Sequence, residues 1–202
     1  MAAWSWVRTM GPTCWWGGEG SEMVRMGWKL AGALTALLLS TGVAQARELA
    51  GVRVPEEVML QGKQLSLAHV ELQQMFFFKV YVWSLYFEQP PRAKSEAISS
   101  NCIKRLQLRF LRHVTRDQLV DAFRDGLARN AALRNSPLSD DLERLLGSLR
   151  DVPKGGELTL TYVPGGGLQV EGEATHGVHI GGKPFADALF VSWLENHPIF
   201  AN

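Results

Sequence analysis

The stretch "QMFFFKVYVWSLYF", residues 74–87, sets one lysine in a run of large apolar residues. Strand alternation puts Phe77, Lys79, Tyr81, Trp83, Leu85 and Phe87 on one face and Phe76, Phe78, Val80, Val82 and Tyr86 on the other. Further on, "CIKRLQLRFLRHV", residues 102–114, carries Leu106, Leu108, Phe110 and Arg112 on one face and Arg105, Gln107 and Arg109 opposite. Lys79, Tyr81 and Arg112 have the chemistry to hold an anionic head group. Phe77 and Trp83 have the surface to wall its apolar body. The same pattern admits a second reading, in which Lys79 snorkels to the sheet edge or pairs with Glu71 or Asp121.

Other reactive constellations are missing from the sequence. There is no H-E-x-x-H, C-x-x-C, G-x-S-x-G or dinucleotide fingerprint. His176 and His179 are three apart on a short strand and point to opposite faces, so no metal site is expected. Gly165-Gly166-Gly167 precedes a strand and reads as a hairpin turn, since a phosphate loop would open a helix. Cys102 reads as a small buried apolar residue. No cofactor is expected.

The elements that must position the polar residues follow from periodicity. Short strands run through residues 52–74, with Gln61-Gly62-Lys63 as the turn between Val58–Leu60 and Gln64–Val70. A long strand is expected over 75–87, broken by Pro90 and Pro91. A short helix follows at 94–99 and a strand at 102–114. Thr115 with Gln118 makes a capping box for a helix whose Leu119, Phe123 and Leu127 form one apolar face. Ser136-Pro137 starts another helix, striped by Leu138, Leu142, Leu145 and Leu149. Strands at 157–163, 168–172 and 175–180 precede a closing helix with Phe185, Leu189 and Trp193 inward. This order predicts an α+β fold with a large, mainly antiparallel sheet and helices on one face. Both faces of the 75–87 strand are apolar, so the second face must be covered as well.

Residues 23–46 read as a signal peptide. Arg25 and Lys29 are basic, Leu30–Leu39 is an apolar run too short to span a bilayer comfortably, and Ala44-Gln45-Ala46 is a cleavage triplet. Residues 1–22 read as an upstream start called too early. Residues 47–202 then form a single exported domain, expected in the periplasm, with no membrane span. Basic and acidic residues balance from Arg47 onward, so net charge gives no electrostatic case for nucleic acid or for an anionic membrane.

Three stretches, "MFFFKVYVWSLYF", "LQLRFLRHVTRDQLVDAFRDGL" and "IGGKPFADALFVSWLENHP", resemble the exported bacterial branch of the chalcone isomerase-like family. The resemblance covers essentially all of residues 47–202. It implies a large antiparallel sheet, helices packed on one face, and a ligand cleft between them. Within that family, plant enzymes cyclise chalcones, and plastid relatives grip a fatty-acid carboxylate with Arg and Tyr. The positions matching the plant catalytic residues fall near His69, Tyr81, Leu119, Ala122, Gly126 and Ala186, and none carries the matching side chain. Gln73 and Met75 stand where bacterial relatives commonly have Arg and Lys, whereas Lys79, Tyr81 and Arg112 match the branch pattern. The residues and the resemblance together lead to the expectation of a non-catalytic binder of a small amphipathic carboxylate such as a fatty acid. The alternatives are an isomerase of the chalcone isomerase type and a structural or partner-binding protein without a ligand.

Overall fold

The computed structural model describes residues 46–75, 77–127, 129–134 and 137–196. The expected signal peptide and upstream start, apart from Ala46, lie outside them, as do Phe76 and Ser136.

A small antiparallel hairpin comes first, β1 (Ala46–Leu49) with β2 (Val52–Pro55). β3 (Glu57–Leu60) turns through Gln61 and Gly62 into β4 (Lys63–Met75). Both turn residues have positive φ, 50° and 78°, the conformation for which glycine was expected at Gly62. β5 (Phe78–Phe87) is followed by α1 (Lys94–Ser99), β6 (Lys104–Phe110) and α2 (Arg116–Leu127). After a 3-10 turn at Ala131–Arg134 come α3 (Leu138–Ser148), β7 (Glu157–Val163), β8 (Gly167–Glu171), β9 (Val178–Ile180) and α4 (Lys183–Asn196). β3 to β9 form one seven-stranded sheet in chain order, antiparallel at every pairing.

The two faces of this sheet bury different material. The helices cover one face, where Trp83, Leu85, Phe87, Leu106, Leu108 and Phe110 meet Leu119, Phe123, Leu145, Phe185 and Leu189. The β1–β2 hairpin contributes Val54 to a second, smaller cluster on the other face, with Leu65, Val82, Tyr86 and Ile103. The Tyr86 hydroxyl donates to Pro55 O at 3.0 Å and pins that cover down. The capping box at α2 forms as read. Thr115 N–H donates to Gln118 Oε1 at 3.2 Å, and Gln118 N–H donates to Thr115 Oγ1 at 3.4 Å.

Two expectations are corrected. Residues 75–87 are not one strand: β4 ends at Met75, the chain reverses, and β5 starts at Phe78. The alternation along β5 is also broken. Tyr81 pairs with Gln73 and Lys79 with Gln74, so Val80 is an extra residue, a β-bulge. Val80 and Tyr81 both pack towards the helices. Before the bulge the phase is reversed, so Lys79 does not share the face of Tyr81, Trp83, Leu85 and Phe87. One extra residue exchanges the faces of everything beyond it. The strand expected at 102–114 is shorter at both ends, leaving Arg112 past the end of β6.

Candidate ligand cleft

α2 lies over the ends of β5 and β6 and leaves two adjoining cavities beneath it. The inner one, about 120 Å³, is walled by Leu108, Phe110, Leu119, Phe123, Leu127 and Trp193, with Tyr81 at its edge. The outer one, about 430 Å³, shares Tyr81, Phe110, Leu119 and Ala122 with it. It opens between Gln73, Met75 and Val80 on the sheet, Arg112 beyond β6, and Gln118, Asp121 and Asp125 on α2. The combined space is of the size and polarity that takes a small ligand: apolar walls with a few polar groups near the entrance.

Tyr81 stands where the two cavities meet. Its ring lies edge-on to Phe110, centroids 5.7 Å apart. Burial, with a smaller contribution from the Glu71 charge, pushes its phenol up to about 12. It is therefore a neutral hydroxyl donor at any physiological pH. Among the described residues no partner takes that hydrogen bond.

The other proposed site residues are placed unevenly. Arg112 is at the entrance, exposed, its guanidinium 5.7 Å from the centre of the Phe78 ring. Trp83 is fully buried, packed between a tilted His69 ring at 4.9 Å and an edge-on Trp193 ring at 5.7 Å. Trp193 is the tryptophan that lines the cleft. Lys79 is exposed and lines neither cavity. Phe77 is 97% exposed at the hairpin turn and is not part of the wall. The structure thus brings Tyr81 and Arg112 to one cavity and leaves Lys79 and Phe77 outside it. The expectation that Lys79 stands at the cleft wall fails because of the bulge at Val80.

A different lysine is buried in the apolar sheet. Lys104 at the start of β6 has no exposed surface. Its Nζ donates to Ile98 O, stands 3.8 Å from Asp187 Oδ1, and lies 5.9 and 5.8 Å from the ring centres of Tyr162 and Phe190. Asp187 is also paired with Lys183, one turn earlier on α4. Burial lowers the Lys104 ammonium below the ordinary lysine range, and Asp187 works against that shift. The Tyr162 hydroxyl donates to Asn101 Oδ1 at 2.6 Å and closes the cluster. Sequence reading overlooked it, although Lys104 is in phase with Leu106, Leu108 and Phe110.

Besides Tyr81, three more of the positions matching plant catalytic residues, Leu119, Ala122 and Gly126, line the inner cavity. None of their side chains can donate or accept a proton. Among the described residues no three His, Cys, Asp or Glu side chains are grouped to hold a metal. No helix there is long and apolar enough to cross a membrane.

Comparison with known proteins agrees with this architecture. A fatty-acid binding protein of Arabidopsis thaliana superposes with a TM-score of 0.56 at 14% identity, covering 76% of this chain and 88% of that one. Identity that low speaks for the fold alone. No curated protein matches the chain by sequence. The family model described as chalcone isomerase-like matches residues 46–202, every element of the sheet and helices above. The chain belongs to the chalcone isomerase-like family.

Proposed function

We propose that this chain is an exported, periplasmic binding protein of the exported bacterial branch, and that its cleft takes a small amphipathic carboxylate such as a fatty acid. One observation carries the ligand reading. The walls beneath α2 are apolar, and the outer cavity carries a neutral donor, Tyr81, at its inner end and a cation, Arg112, at its mouth. An apolar tail fits the inner cavity, and a carboxylate in the outer cavity meets both groups. Asp121 and Asp125 line the α2 side of the same opening, so the head group is directed to the sheet side. The fatty-acid binding protein with the same fold supports the reading by likeness. The export reading rests on Arg25, Lys29, the apolar run and Ala44-Gln45-Ala46.

Titration calorimetry with laurate tests the ligand. Wild type should bind, and Ala122→Trp, which puts a large ring between the two cavities, should not. Because Ala122 is exposed on α2, its replacement should leave the melting temperature close to wild type. Absence of laurate binding by the wild type would favour a structural or partner-binding protein. N-terminal sequencing of the periplasmic fraction should start at Arg47; a membrane-retained chain with its leader intact would remove the export reading.

A further inference from the structure

The β4–β5 hairpin runs past its neighbour. The last β5–β6 pair is Tyr81 with Phe110, followed by one hydrogen bond from Leu111 N–H to Val80 O. Phe78 and Lys79 pair only with β4. At the end of this projecting ribbon Phe77 is 97% exposed, Phe78 62% and Met75 61%. A single exposed apolar side chain is ordinary, but three at one tip make a patch, and such patches mark interaction sites. Beside them stand two cations. Lys79 follows Phe78 directly, and Arg112 lies over the Phe78 ring. Among the described residues Lys79 makes no ion pair. Met75 and Arg112 also line the outer cavity, so the patch is continuous with the cleft entrance.

We propose that Met75, Phe77 and Phe78 insert into the interfacial layer of a bilayer bearing anionic headgroups, with Lys79 and Arg112 on the headgroups, so that the cleft opens onto the membrane. Exposed aromatic and aliphatic side chains flanked by long cationic stems are the combination that settles at a lipid–water interface. Asp121 and Asp125 line the α2 side of the cavity mouth opposite Met75 and Arg112, and Glu71 is several residues back along β4, so the positive charge is that of the ribbon tip, where Lys79 stands beside Phe78. A projecting tip with no facing groove also suits a deformable phase better than a rigid partner. The proposal goes beyond the carboxylate reading and stands without it, because docking depends on the tip and not on what fills the cleft.

Flotation with vesicles of equal parts phosphatidylcholine and phosphatidylglycerol tests it, using full chains that differ only at the tip. Wild type should float, and Phe77→Ser/Phe78→Ser should bind at least about tenfold more weakly, the scale of losing buried apolar side chains. Phe77→Trp should float like wild type and gain tryptophan quenching by brominated lipid. Lys79→Gln should lose about fivefold on these vesicles and nothing on pure phosphatidylcholine. Equal flotation of wild type and the double serine variant overturns the proposal, as does absence of added quenching in Phe77→Trp. A wild-type dimer that the double serine variant dissolves also overturns it, by making the tip a contact between two copies of the chain.

Discussion

Lys104 and Lys79 sit on neighbouring strands, Lys104 in phase with Leu106, Leu108 and Phe110 and Lys79 in a run of large apolar residues, and their fates differ. Lys104 is wholly buried between the sheet and α4, held by Ile98 O, Asp187 and two aromatic faces. Lys79 is exposed on a ribbon that reaches beyond the sheet. β5 is apolar almost throughout, whereas β6 alternates with Arg105, Gln107 and Arg109, so the exposed lysine stands in the more apolar strand. The difference lies in phase and in what crosses over. Lys104 keeps the phase of Leu106 and Leu108 and finds a carboxylate from a helix far along the chain. Lys79 lies beyond a bulge that turns it away from the helices. A charge in an apolar strand is thus explained by its partner across the layer, and local hydrophobicity is a poor guide to it.

The largest effect should come from removing that partner. Asp187→Ala leaves Lys104 and Lys183 together without a carboxylate between them and should cost about 3 kcal/mol, the lower end for a broken buried pair because Asp187 is itself partly exposed. Urea unfolding measures it, and an unmoved midpoint would leave Ile98 O as the anchor that matters. At the cleft, Arg112→Gln should weaken laurate binding by about 1.5 kcal/mol, roughly tenfold, the low end for a hydrogen bond to a charged group. Calorimetry reads that change directly, and an unchanged affinity would take Arg112 out of the site.

Lys104→Met should be milder than Asp187→Ala, within about 1 kcal/mol of wild type in either direction, because Asp187 keeps Lys183 and methionine packs well. It should also change the pH response. The folded state lowers the Lys104 pKa, so between that value and the ordinary lysine value the unfolded chain binds more protons. Wild-type stability from this group therefore rises with pH across that window and is flat below it. The methionine variant should lack the rise in alkaline urea titrations. Smallest of all, Lys79→Met should leave stability within about 0.5 kcal/mol and laurate affinity unchanged, as expected of an exposed side chain outside the cleft. A loss of laurate affinity there would mean that the ribbon folds back over the entrance when ligand is bound.

Much of the fold was legible in the sequence where a pattern was local. Thr115 and Gln118 announce α2, Pro90 and Pro91 end β5, and Lys94–Ser99 forms α1 as read. The reversal between the end of β4 at Met75 and the start of β5 at Phe78 was not legible. Met-Phe-Phe-Phe-Lys contains no Gly, Asn, Asp or Pro to mark a reversal, and large aromatic residues favour a strand. The bulge at Val80 leaves no signature either, since it depends on how β4 aligns with β5. These two features decide which of Lys79 and Phe78 faces the helices. Tyr81 keeps its place because it lies on the core side of the bulge, and Arg112 because it follows β6, whose pairing with β5 has no register shift. Lys104 could be assigned inward from phase alone, but Asp187 is brought to it only by packing of α4.

β3 is short and pairs with β4 only from Lys63 to Ser66. Beyond Leu67, whose N–H reaches Glu56 O, the outer edge of β4 has no neighbouring strand among those described, and the inner edge alone is laddered to β5. Amide hydrogen exchange along residues 68–75 should therefore alternate. Protons directed at β5 would be retained and those directed outward replaced quickly, with retention fading towards Met75 as the ribbon frays. The aromatic tip is then carried on the least cooperative part of the sheet, able to change its tilt without disturbing the core beneath α2.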